Sequence, residues 1–188
     1  ERRHGLALAD ALGEAQIDHL VYVSGAGADR PTGVPVFESK RAVEQRIAEV
    51  GLTATILAPV YFMENAFNPW NLTALARGGF PLPLPADRTL AQVAIDDVAE
   101  AAVSALERPG EFAGRRMELA SDALTGAQAA ERLSRVTGRA YAFERLSLDA
   151  LAPPLRPLFE WLDEVGFDGV DVSGRSFERW AAAQRWPG

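Results

Sequence analysis

Ser24 and Lys40 are the side chains of this sequence whose types and settings suit chemistry. Ser24 ends the apolar run HLVYVS, residues 19–24, and Lys40 sits one turn into the helical pattern GVPVFESKRAVE, residues 33–44. In an α/β sheet, ligands collect outside the carboxyl ends of the strands, where both residues would lie. A hydroxyl there can face a cofactor or a substrate. An ammonium there can hydrogen-bond a ribose diol and lower the pKa of a neighbouring hydroxyl. Position 36, one turn before Lys40, is a valine and has no proton to give. Each residue also has a plainer use. Ser24 can bond loop backbone, and Lys40 can make a solvated i, i+4 pair with Glu44.

Other chemistry-bearing residues carry less. Gly25-Ala-Gly27 follows a strand, but Arg30 stands where a third glycine would be and Pro31 follows. A dinucleotide loop needs a helix N-terminus directly after its glycines, so this one reads as a plain mobile loop. Asp96 and Asp97 read as helix caps. His4 and His19 lack partners at metal-ligand spacing and read as structural or surface residues. No Ser-His-Asp order points to a hydrolase, and without cysteine there is no thiolate or disulfide. Trp70, Trp161, Trp180 and Trp186 suit the packing of a small lobe or the lining of an apolar pocket. Trp186, two residues from the end, is expected at a surface or an interface.

The elements that must position these residues follow from periodicity. Arg3 to Ala15 reads as a helix, and Leu20 to Val23 as a strand buried on both faces. Val36 to Val50 is a helix stopped by Gly51, and TATILAP is a second buried strand ending at Pro59. Strand–helix–strand implies a right-handed parallel crossover. Short helices flank Asn68-Pro69, and the proline-rich FPLPLPADRT is loop or extended chain. LAQVAI is a strand. Asp97-Val-Ala-Glu100 matches a capping box that opens a helix running to about Glu107. RRMELAS is a strand, and Thr125-Gly-Ala-Gln128 is a second capping box, for a helix ending near Gly138. AYAFERLS alternates like an edge strand. Helices at about Leu155–Val165 and Phe177–Arg185 close the chain.

The 188 residues carry 48% hydrophobic and 24% charged side chains with a net charge of −7, a globular composition. No basic run points to nucleic acid or to an anionic membrane. No apolar run approaches the ~20 residues that span a bilayer, and the first residues lack the apolar centre of a signal peptide. A cytoplasmic protein is the expectation.

Residues 19–65, HLVYVSGAGADRPTGVPVFESKRAVEQRIAEVGLTATILAPVYFMEN, closely resemble the NmrA-like group of atypical short-chain dehydrogenase/reductases. The likeness continues through VAIDDVAEAA, GRRMELASDALTGAQAAERLSRVTGR and SFERWAA. It implies an α/β fold, here a partial Rossmann-like doubly wound parallel sheet (residues 1–124) with a small C-terminal α+β lobe (residues 125–188). It also implies NADP or NAD as ligand, with NADP favoured. Members of the group include reductases of quinone, azo-dye and isoflavone-like substrates, and non-catalytic cofactor sensors that regulate protein partners.

By position, Ser24 falls beside the nicotinamide, as a cofactor contact and catalytic candidate, and Lys40 falls on the nicotinamide ribose. Pro59, Val60 and Tyr61 fall on the loop passing the nicotinamide ring. Phe62, Met63, Glu64 and Asn65 fall on the substrate side. Two local departures stand out. The group's catalytic tyrosine, four residues before the lysine, is Val36, and the arginine usual before Pro59 is Ala58. The glycine fingerprint and the residues that choose between NAD and NADP are absent, so the expectation is a fragment of a longer protein, or a second chain that supplies the missing strands. Three functions follow as expectations: an NAD(P)H-dependent oxidoreductase for a small quinone- or carbonyl-like substrate, a cofactor-sensing regulator, or a piece that binds no cofactor by itself.

Overall fold

The structure is a computed structural model and describes residues 1–187. In chain order it runs α1 (Arg2–Glu14), β1 (Leu20–Val23), α2 (Pro35–Glu49), β2 (Ala54–Pro59), β3 (Tyr61–Phe62), α3 (Pro69–Ala76), β4 (Gly79–Leu82) and β5 (Thr89–Val93). There follow α4 (Ile95–Glu107), α5 (Pro109–Phe112), β6 (Arg116–Leu119), β7 (Asp122–Thr125), α6 (Gly126–Thr137), β8 (Ala142–Arg145), α7 (Arg156–Glu164) and α8 (Phe177–Ala182). The chain forms two compact units: unit 1 is Glu1–Val60 with Val98–Leu119, and unit 2 is Tyr61–Asp97 with Ala120–Gly188. No helix among the described residues is long and apolar enough to cross a membrane.

Unit 1 is an α/β layer. Its sheet has the order β1-β2-β6, parallel throughout. Val43 and Ile47 of α2, Ala9 of α1 and Ala54 of β2 form a buried cluster, with Leu20, Tyr22 and Ile56 packed against it. Alternate strand residues therefore face the two helices, as the pleat requires. Thr55 is fully buried; its hydroxyl donates to the Phe112 carbonyl at 2.8 Å and accepts from His19 Nε2 at 2.8 Å. His19 is thus a structural tie between sheet and loop.

Unit 2 combines a three-stranded sheet, β3-β5-β7, with a parallel pair, β4-β8. Pro81 is tolerated in β4 because a two-stranded sheet consists of edges. Met63, Leu75, Leu133, Phe177 and Trp180 centre the core, each at most 1% exposed. The capping box at Thr125 is present: its hydroxyl accepts from Gln128 N at 3.2 Å, and Gln128 Oε1 accepts from Thr125 N at 2.9 Å. The helix ends on Gly138 at φ 69°, a left-handed cap that favours glycine. Thr125→Ala should cost about 1 kcal/mol, read as a shifted denaturant midpoint at unchanged slope.

Three expectations give way. Asp97 is not a cap, because α4 begins two residues earlier and its first N–H, from Ile95, goes to Glu64 Oε1 at 3.1 Å. The Asp97 carboxylate instead accepts from Ser121 Oγ at 2.5 Å and Arg175 N at 2.9 Å, while Asp96 pairs with Arg175 at 2.7 Å. Trp186 is no surface anchor; it is half-buried, its ring 4.8 Å from Phe67 and 5.7 Å from Trp180, and its N–H donates to the Ala181 carbonyl. The loop after β1 is not a free one: residues 24–28 are buried, and 26–29 form a 3₁₀ turn. A Cβ at Gly27 would stand 2.8 Å from the Phe37 ring, so glycine is needed for close approach.

Candidate functional site

The carboxyl ends of β1 and β2 bring four of the expected residues together in unit 1. Ser24 prolongs β1 by one residue, its N–H donating to the Leu57 carbonyl at 2.7 Å. Pro59 and Val60, both buried, end β2 beside it, and Val60 N–H donates to the Leu119 carbonyl at 3.1 Å. Helix α2 crosses this edge and contributes Lys40. A Cβ on Gly25 would lie 3.4 Å from Lys40 Cδ, so the lysine stem rests on the first residue of the loop.

The polar contacts differ from both plain readings. Ser24, 3% exposed, donates its hydroxyl proton to Glu44 Oε1 rather than to loop backbone. Lys40 does not pair with Glu44; its ammonium reaches Glu1 at 2.8 Å, a partly exposed pair. The other Glu44 oxygen accepts from Arg116 Nε at 3.2 Å, and Arg116 Nη2 donates to the Gly25 carbonyl at 2.8 Å. Tyr22, Ile56 and Arg116 are register partners across β1, β2 and β6, so the arginine lies on the helix-covered face. Glu44 and Arg116 are the site residues that the sequence did not single out. Glu44 was visible as the residue four beyond Lys40, whereas the reach of Arg116 depends on strand register.

The turn before α2 holds no room for an anion. Glu38 accepts from Thr32 N at 2.7 Å and Gly33 N at 3.1 Å, and these bonds hold its carboxyl below the usual range. Val36 lies exposed on the first turn of α2. Neither nearby-numbered tyrosine is set up as a tyrosinate. Burial, with Glu1 and Glu44 adding to it, pushes the Tyr22 phenol up to about 12. Burial raises Tyr61 as well, against a hydrogen bond with Asn65.

The remaining expected residues belong to unit 2. Tyr61 and Phe62 form β3, half-buried, with the Tyr61 ring edge-on to Phe159 at 6.1 Å. Met63 is in the core at 1% exposure. Glu64 accepts from Trp180 Nε1 at 2.8 Å as well as from Ile95 N, and its second oxygen is buried without a protein partner. The Asn65 carbonyl accepts from Asn71 Nδ2 at 3.1 Å. Among the described residues, no group of acidic, histidine or cysteine side chains could hold a metal ion.

Comparison with known proteins follows this geometry. The NAD(P)H azoreductase of Xenophilus azovorans is 28% identical over 143 residues, covering 76% of this chain and 49% of that enzyme; the chain thus spans about half the length of this relative. The NADPH-dependent quinone oxidoreductase of Escherichia coli, solved in complex with NADPH, superposes with a TM-score of 0.78 at 21% identity, over 96% of this chain and 70% of that one. NmrA, a negative transcriptional regulator solved with NADP, superposes with a TM-score of 0.72 at 20% identity, over 97% and 69%. These two likenesses establish the α/β, Rossmann-like fold. Residues 1–174 match the profile of the NmrA-like family, and the chain belongs to that family.

Proposed function

We propose that unit 1 holds the nicotinamide–ribose end of NADP or NAD, and that the protein is an oxidoreductase acting on a small quinone- or carbonyl-like substrate. The observation that carries this reading is the setting of Lys40. Its stem lies on Gly25 at the carboxyl end of β1, and its ammonium pairs with the exposed Glu1, a pair that a ligand hydroxyl can replace. The donor suits a ribose diol. The residues before α2 do not suit a pyrophosphate, because Glu38 already takes the backbone N–H groups there.

When bound, the nicotinamide supplies the hydride. The protein contributes position: Lys40 orients the ribose, and Ser24 lies beside the ring with its proton given to Glu44. Val36 provides no acid, so the proton that follows the hydride comes from solvent. Titration with NADPH and NADH, followed by cofactor oxidation over a panel of quinones and carbonyls, tests this. Turnover is expected; tight cofactor binding without turnover on any substrate would sink the oxidoreductase reading.

Val36 also favours a second reading, a non-catalytic regulator that senses the cofactor. This version requires unequal affinities for the oxidised and reduced forms, because only differential affinity shifts a conformation.

A further inference from the structure

We infer that Arg116 is a positioning residue that keeps Lys40 available to a ligand by occupying Glu44. This rests on the cofactor reading of the Lys40 site. Lys40 and Glu44 are one turn apart on α2, and both face the end of β1: the Lys40 stem lies on Gly25, and Glu44 holds Ser24. Residues at that spacing are natural ion-pair partners. In this protein they are not paired: Glu44 accepts from the Ser24 hydroxyl and from Arg116 Nε, whose charge offsets its own, and Lys40 reaches Glu1 instead.

The reach of Arg116 has a structural precondition. β6 and β1 are not neighbours; β2 lies between them, so the side chain must span two strand spacings, about 10 Å. Its guanidinium reaches Glu44 and the Gly25 carbonyl, while a second ion pair, to Glu118 at 3.4 Å, steadies it from its own strand.

Removing Arg116 would leave the Glu44 charge uncompensated one turn from an ammonium. Lys40 would then fold back onto Glu44 and leave the ligand. The effect is electrostatic, so neutralising Glu44 should undo it. Calorimetric titration with NADPH and NADH, paired with thermal unfolding of each variant, reads the two consequences separately. Arg116→Ala is expected to bind cofactor about tenfold more weakly. Arg116→Ala with Glu44→Gln is expected to recover most of that affinity while remaining less stable than the parent. Arg116→Lys keeps the charge with a shorter reach and without the planar fork, and is expected to bind cofactor more tightly than Arg116→Ala but less tightly than the parent, which also covers the case of an unstable alanine variant.

Parent-like affinity in Arg116→Ala would overturn the inference. So would a double variant with Glu44→Gln that binds no better than the single one, since a purely architectural arginine predicts that result. If the unmodified protein binds neither cofactor, the cofactor reading fails instead, and the two failures are distinguishable.

Discussion

Replacing Trp180 by alanine is expected to destabilise unit 2 by about 3–5 kcal/mol, the usual cost of emptying a large buried aromatic site. Trp180 is 1% exposed, and its ring lies 5.3 Å from Phe177, 5.9 Å from Phe67 and 5.7 Å from Trp186. Folded domains hold only about 5–15 kcal/mol in reserve, so the variant should show a separate, earlier unfolding transition. Its indole N–H also donates to Glu64, the carboxylate that receives the first N–H of α4. Trp180→Phe isolates this bond: it keeps most of the packing and should lose about 1–3 kcal/mol, the worth of a hydrogen bond to a charged group. Differential scanning calorimetry of both variants separates packing from hydrogen bonding. An alanine variant that melts like the parent would show that α8 does not hold the unit together.

Lys40→Ala should weaken NADPH or NADH binding by about 1–3 kcal/mol, which corresponds to about 5–150-fold in dissociation constant. Stability should scarcely change, because the Lys40–Glu1 pair is partly exposed at 20% and 45% and such pairs contribute about 0–1 kcal/mol. That separation makes the experiment decisive. A large loss of affinity at constant melting temperature places the ammonium on the ligand. Unchanged affinity returns Lys40 to the solvated surface and removes the observation on which the proposed function stands. Lys40→Arg keeps the charge on a longer, planar head, and should recover only part of the affinity where a compact ammonium fits a diol.

The features legible in the sequence share one property: they are local. The helix from Arg3, the β1 run, and the helix before Gly51 were readable because their apolar residues fall at local spacings, and Gly51 marks the end of the last. Thr125 and Gln128 were readable as a capping box because both partners lie three residues apart on one turn. The same template misled at Asp97, where Glu64, distant in sequence, supplies the acceptor for the first turn of α4. Trp186 misled for a related reason, since its place near the end of the chain carried no information about the aromatic cluster it joins.

By itself, the sequence determined the α/β class, the parallel strand–helix–strand unit, the family, and the placing of Ser24 and Lys40 near strand ends. Composition and short-range periodicity suffice for the class and the strand–helix–strand unit, and the family rests on the likeness of residues 19–65. Only the tertiary structure decided what the two side chains do with their protons and charge. Ser24 gives its proton to Glu44, Lys40 turns to Glu1, and Glu44 is claimed by an arginine 72 residues away. The physical reason is that such pairings are set by the register of parallel strands, which leaves no periodic trace along the chain.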